Sequence, residues 1–320
     1  MASISHRIVQ ANGIDLQLAE CGRGPAVVLL HGFPELWYSW RHQLPALADA
    51  GYHAVAPDLR GYGQSAAPAA TEDYAMTCMV GDVIGLLDTL GEEQVVLVGH
   101  DWGANIAWAC VQLHPDRVRA VVALSVPFQP RPPEPPTQLM RRVAADRFNW
   151  VLYFQQPGVA EAELQADVAR TFRLVLYALS GDAPSNLAPR LLGGLPAGSG
   201  LLDPIPEPER LPQWLSDADL DYYVAAFERT GFTGALNRYR NLDRDWADLA
   251  SLDGVIIEHP AQFVGGERDT ATRFVDRRPM EQAVTSLRSC IVPGCGHWVQ
   301  QEHPRAVNDE LVSFLHAWTR

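Results

Sequence analysis

The chain has 320 residues, 47% of them hydrophobic, and 38 Asp and Glu against 25 Lys and Arg give a formal net charge of −13. That acidity argues against nucleic acid and anionic membrane as partners, and the length is enough to bury one large core or two. Five scattered cysteines, Cys21, Cys78, Cys110, Cys290 and Cys295, include no Cys-x-x-Cys pair, which favours reduced thiols in a cytosol over a disulfide framework or zinc site. The first residues lack an apolar signal core and no apolar run reaches membrane-spanning length, so a cytoplasmic protein is expected.

In chain order, residues 6–21 alternate in polarity around Asn12-Gly13 and predict an antiparallel edge pair. Ala26 to Leu30 reads as a buried strand, 37–50 as a helix, and 53–58 as a strand. Met76, Met79, Val80, Val83 and Leu87 recur at helical spacing until Gly91 stops them. The run 94–98 is a strand, 102–113 a helix, and 119–126 a further strand. This alternation implies an α/β protein with a mostly parallel sheet covered on both faces. At Pro127 a proline-rich exit begins, and from there to Trp246 the pattern is helical. Leu164, Val168, Phe172, Val175 and Leu179 make one stripe; Leu220, Tyr223, Val224 and Phe227 make another, opened by Ser216 and closed by Gly231. The Gly- and Pro-rich stretch 181–213 reads as loop. Strands resume at 262–266 and 288–292, and a last helix from Pro304 turns Val307, Leu311, Phe314, Leu315 and Trp318 inward. The expected division is 1–128 core, 129–246 helical cap and 247–320 core.

The chemistry centres on Gly99-His100-Asp101-Trp102-Gly103. Small residues at 99 and 103 let strand and helix approach so closely that Asp101 projects from the turn between them. The pattern resembles the nucleophile elbow of the α/β-hydrolases, with Asp where lipases and esterases carry Ser. A serine oxygen attacking a saturated carbon would leave an inert ether. A carboxylate doing so leaves an ester that activated water can hydrolyse. Asp101 therefore points to displacement at an sp³ carbon: an epoxide, a haloalkane or a haloacid.

Ester hydrolysis needs a base and an acid to orient it. Asp269 and His297 each follow a predicted strand and fall at the same sheet edge as Asp101; Glu267 is the competing acid. The oxyanion needs two amide donors, for which the sequence offers Trp102 and Phe33, the latter beside Pro34 in a turn that a cis bond would tighten.

His31-Gly32-Phe33-Pro34-Glu35, Asp58-Leu59-Arg60-Gly61-Tyr62-Gly63, the Asp101 elbow and Gly294-Cys295-Gly296-His297-Trp298 together resemble the epoxide hydrolases of the α/β-hydrolase fold. Tyr153 to Glu161 and Gly231 to Asn241 resemble the two cap motifs of the soluble epoxide hydrolase type. The resemblance covers nearly the whole chain. It implies a mostly parallel eight-stranded sheet with an inserted helical cap, no metal or organic cofactor, and an apolar epoxide opened to a vicinal diol. It also implies two cap tyrosines that hold the epoxide oxygen and protonate it as the ring opens.

Tyr239 matches the second of these, but Trp150 stands where the first is expected, four residues before Phe154. An indole N–H can donate a hydrogen bond but not its proton near neutral pH. The site then runs on one acid, recruits Tyr153, or serves a shifted substrate. Trp150, Tyr153 and Phe128 are expected to line the substrate pocket. Two alternatives remain: a haloalkane dehalogenase with Trp102 and Trp150 as halide donors, and a non-catalytic ligand-binding member of the fold. A homodimer is the assembly carried forward.

Overall fold

In a computed structural model describing residues 3–185, 187 and 194–318, the chain builds one eight-stranded sheet. Its strands are β1 (Ser5–Ala11), β2 (Ile14–Cys21), β3 (Ala26–Leu30), β4 (His53–Pro57), β5 (Val95–His100), β6 (Val118–Leu124), β7 (Ile257–Gly266) and β8 (Val284–Val292). They lie in the order β1-β2-β4-β3-β5-β6-β7-β8. β1 pairs antiparallel with β2 and β2 with β4; the other pairs are parallel. The strand that carries the elbow, β5, is thus flanked on both sides and its residues are all buried.

Strand periodicity divides the core into two layers. Val28, Leu30, Val95 and Leu97 face one side, against Met79, Val83 and Leu86 of the helix Met76–Leu90 and Ile106 of the helix Trp102–Leu113. Val27, Leu29, Val96 and Val98 face the other, against Leu44 and Leu47 of the helix Gln43–Asp49 and Leu311 and Phe314 of the helix Pro304–Trp318. The predicted turn at Gly91, Ser216 as helix cap and the helix end at Gly231 are all present.

Several boundaries differ from expectation. The segment 37–50 is a 3₁₀ turn, Trp37–Trp40, followed by the helix Gln43–Asp49. Pro45 lacks an N–H and is tolerated only in a first turn, so the helix has to begin close before it. The stripe from Leu164 to Leu179 is two helices, Val159–Ala166 and Val168–Ala178, because Asp167 turns extended and its side chain accepts Arg170 N at 2.8 Å. β6 stops at Leu124 because Ser125 takes φ 66°. β7 and β8 start earlier than their apolar runs, and Trp318 is 40% exposed rather than turned inward. Within 181–213 the described residues pair as β only at the isolated bridge Arg147–Pro196, while 186 and 188–193 lie outside the described residues.

Between β6 and β7 the described elements are helices, and this inserted helical block, the cap, packs Tyr239 on Phe33 and Trp102 just beyond the C-terminal ends of β3 and β5. Its interior is aromatic: Phe172 stacks on Tyr223 at 5.5 Å, and Phe227 meets Phe172 at 4.9 Å and Phe232 at 4.8 Å. The helix Asp217–Thr230 is fastened to the core through Trp37 Nε1, which donates to Tyr222 Oη at 2.9 Å, and through Asp219, paired with Arg41 at 2.9 Å. All five cysteines are free. Among the described residues no helix is long and apolar enough to cross a membrane.

Candidate active site

Asp101 takes φ 51° and ψ −117° at the turn between β5 and the helix Trp102–Leu113. Such a conformation costs a non-glycine residue of order 1–3 kcal/mol. Close backbone contact imposes it: a Cβ on Gly99 would lie 2.1 Å from the Gly103 carbonyl oxygen, and one on Gly103 2.0 Å from that of Leu30. The Asp101 carboxylate therefore stands at the sheet edge, where its Oδ1 accepts the Phe33 amide at 2.9 Å. The Trp102 amide opens the helix and is among the N–H groups that helix geometry leaves without an intrahelical partner. The Phe33–Pro34 bond is cis.

Asp269 caps the short helix Thr270–Phe274 and is fully buried. Its Oδ1 accepts from His297 Nδ1 at 3.0 Å, and His297 Nε2 lies 3.7 Å from Asp101 Oδ2. Glu267 accepts Gly294 N at 2.8 Å instead, so of the two candidate acids Asp269 is the one beside His297. Burial opposes the charge of Asp101, but hydrogen bonding and attraction to His297, with His100 and the Phe33 amide, bring its carboxyl below the usual range. Burial likewise works against a charged His297; Asp269 and Asp101 outweigh it and hold the imidazole well above its ordinary value.

Beneath this row lies a set of polar groups to which sequence reasoning assigned no role. His100 directs Nδ1 to Glu35 Oε2 at 2.6 Å and Nε2 to the His297 carbonyl at 2.8 Å. Ser125 Oγ donates to that same carbonyl at 2.6 Å. Glu35 also accepts Gly32 N at 3.1 Å and the amides of Gln300 and Gln301, each at 2.9 Å. Burial opposes its charge, yet His100 and these donors keep the Glu35 carboxyl low. Glu302 is a second such anchor, accepting Gly181 N at 2.8 Å, Gly296 N at 2.9 Å and Trp298 N at 3.0 Å. The available signal was a charged residue inside an otherwise apolar or glycine-rich motif: His100 closing an apolar strand, Glu35 ending the His31 turn.

Tyr239, on the cap helix Thr233–Arg240, is 3% exposed and surrounded by rings. Phe33 is 5.4 Å away, Trp102 5.1 Å, Trp150 5.4 Å and Phe154 5.1 Å, centroid to centroid. Tyr239 thus meets the rings of both residues expected to line the oxyanion hole, edge-on in each case. Burial, with Asp101 nearby, raises the Tyr239 phenol well above its ordinary value. Trp150 joins this group. Tyr153 is turned elsewhere: its hydroxyl donates to Glu163 Oε2 at 2.8 Å. Phe128 packs on Trp108 of the elbow helix at 5.8 Å.

Residues 25–304 match the family model described as the alpha/beta hydrolase fold. Epoxide hydrolase A of Mycobacterium tuberculosis is 47% identical over 318 residues, covering 98% of each chain. The crystal structure of epoxide hydrolase A from Mycobacterium thermoresistibile superposes with a TM-score of 0.93 at 48% identity, covering 98% of each chain. An epoxide hydrolase from an endophytic Streptomyces gives 0.94 at 46% identity, over 98% of this chain and 96% of its own. The chain belongs to the α/β-hydrolase fold family. Within that family it is a member of the epoxide hydrolases.

Proposed function

We propose that the protein hydrolyses an apolar epoxide to a vicinal diol through a covalent ester on Asp101, with residues 129–246 acting as the cap that closes the site. The observation that carries this reading is the position of Tyr239, buried over Phe33 and Trp102, while Asp101 faces His297 at 3.7 Å from the other side.

In the first step an Asp101 oxygen forms a bond to an epoxide carbon, the carbon–oxygen bond of the ring breaks, and Tyr239 gives its proton to the departing oxygen. Negative charge thereby moves from Asp101 to the phenol oxygen. Alkylation also removes one of the two carboxylates that keep His297 protonated. His297 then releases its proton through solvent to the tyrosinate and becomes a neutral base, oriented by Asp269. In the second step it takes a proton from water, whose oxygen attacks the ester carbonyl while the Phe33 and Trp102 amides hold the oxyanion. Collapse breaks the ester carbon–oxygen bond, the remaining hydrogen of the attacking water passes to the departing diol oxygen, and the Asp101 carboxylate and protonated His297 are restored, so the proton balance closes.

The arrangement of the indoles favours this over halide displacement. A halide site needs the Trp102 and Trp150 N–H groups to converge on one anion, whereas the Tyr239 ring packs on both indoles, at 5.1 and 5.4 Å. Tyr153, committed to Glu163, does not serve as a second acid, so one phenol carries ring opening. The test is a panel of aryl and alkyl epoxides and haloalkanes with diol and halide both measured. Diol from epoxides without halide release is expected; halide release without diol would overturn the reading.

A further inference from the structure

The residue preceding Tyr239 is a buried cation. Arg238 is 2% exposed, and its Cζ lies 4.7 Å from the centroid of the Trp102 ring. One terminal nitrogen donates to the Tyr74 carbonyl and the other to Asp245 Oδ2, while Nε has no partner. Asp245 uses its other oxygen to accept Met76 N at 2.7 Å. The guanidinium is therefore fixed between the cap helix, the start of the helix Met76–Leu90, and the indole on which the Tyr239 ring packs at 5.1 Å.

Burying a guanidinium is costly unless the charge is used or paired, and the pairing to Asp245 explains only its tolerance. We propose that Arg238 is a positioning residue for ring opening: its charge, held against the Trp102 indole, favours the tyrosinate that Tyr239 becomes on protonating the epoxide oxygen. This rests on Tyr239 being the acid. The argument is one of charge movement. Before the step the negative charge is on Asp101, which is stabilised by His297 and His100; after it the charge is on Tyr239, where Arg238 acts favourably. A group that meets the charge only where it arrives lowers the barrier rather than merely tightening binding. Although burial pulls the Arg238 pKa down to about 9, the group stays positive at neutral pH. A buried phenol beside a carboxylate resists ionisation, and with no second cap tyrosine to share the load the cation supplies part of what is missing.

The experiment measures both half-reactions with styrene oxide as probe and enzyme in excess, following alkylated protein by intact mass after acid quench. Arg238→Met, Arg238→Lys and Asp245→Asn are each made in the parent and in a Tyr239→Phe background. Arg238→Met should slow alkylation about tenfold to a hundredfold, less than loss of a direct oxyanion donor, and leave ester hydrolysis within about threefold. Arg238→Lys, which keeps the charge, should recover most of the alkylation rate. Asp245→Asn should lower Tm yet keep fast alkylation, because the cation remains over the indole; this arm decides even when Arg238→Met does not fold. In the Tyr239→Phe background Arg238→Met should add nothing. Equal slowing of both half-reactions by Arg238→Met and Asp245→Asn would make the pair a cap fastening and overturn the proposal. Undiminished slowing by Arg238→Met without the Tyr239 hydroxyl would overturn it too. A Tyr239→Phe variant that alkylates normally would instead remove the acid assignment on which the proposal stands.

Discussion

At the C-terminal edge of the sheet, Asp101, Asp269 and His297 are held by hydrogen bonds of 2.9 and 3.0 Å and by the backbone at strand ends. Under the cap, Tyr239 is held by four rings at 5.1 to 5.4 Å and by its helix. The first region places charge through directional contacts that tolerate little displacement. The second places a phenol by non-directional packing, which accepts a different ring wherever volume is kept. The difference fits a cap that carries Trp150 at the position where the sequence resemblance implies a tyrosine. The two regions are nonetheless joined, since His297 N donates to the cap-side Leu179 carbonyl at 2.8 Å and Glu302 ties Gly181 to both neighbours of His297.

The largest effect that separates them is expected from the cap. Tyr239→Phe keeps the ring packing but removes the proton, so alkylation should slow by about two to four orders of magnitude while ester hydrolysis and Tm barely change. Rapid-quench measurement of alkylated protein checks this. Equal loss in both half-reactions would mean that the rings, and not the hydroxyl, matter.

The complementary break is Gly296→Ala. A Cβ there would lie 2.3 Å from Gly181 N and 2.5 Å from the Leu179 carbonyl oxygen, so the His297 loop has to shift. A misplacement near 1 Å costs about 10²-fold, and it should fall on ester hydrolysis more than on alkylation. Accumulation of alkylated protein at steady state is the expected signature.

The smallest effect concerns Glu302 and is one of stability. Burial raises its pKa from 4.5 to about 7 against the pull of three amides. Between those pH values the folded chain binds more protons than the unfolded one. The Glu302 contribution is thus full below about pH 4.5 and declines as pH rises through about 7. Relative to Glu302→Gln, the parent should lose a few degrees of Tm between pH 5 and 8; parallel Tm curves would show that the carboxyl does not titrate there.

Legibility in the sequence follows the same division. Asp101, Asp269 and His297 were readable because each lies at or shortly past the end of a strand, His100, Gly266 and Val292 respectively, and the parallel sheet aligns those ends at one edge. The cap was readable as helices but not as contacts. Nothing in the order of residues says that the Tyr153 hydroxyl turns to Glu163, or that Arg238 meets Trp102 across 136 positions of chain. The helix break at Asp167 was hidden because Leu164 and Val168 keep helical spacing through it. Pro45 did carry a signal for the late helix start, one outweighed by the continuous apolar pattern around it.

The central claim is that Asp101 forms an ester which His297 clears. Its most direct test is a single turnover in ¹⁸O-water with enzyme in excess, run beside Tyr239-intact His297→Gln enzyme mixed with styrene oxide. The account predicts mostly unlabelled diol from the parent, with label left in the peptide containing Asp101, and a His297→Gln protein heavier by the mass of one epoxide. Fully labelled diol in the first turnover, with no adduct on the His297→Gln protein, would contradict it.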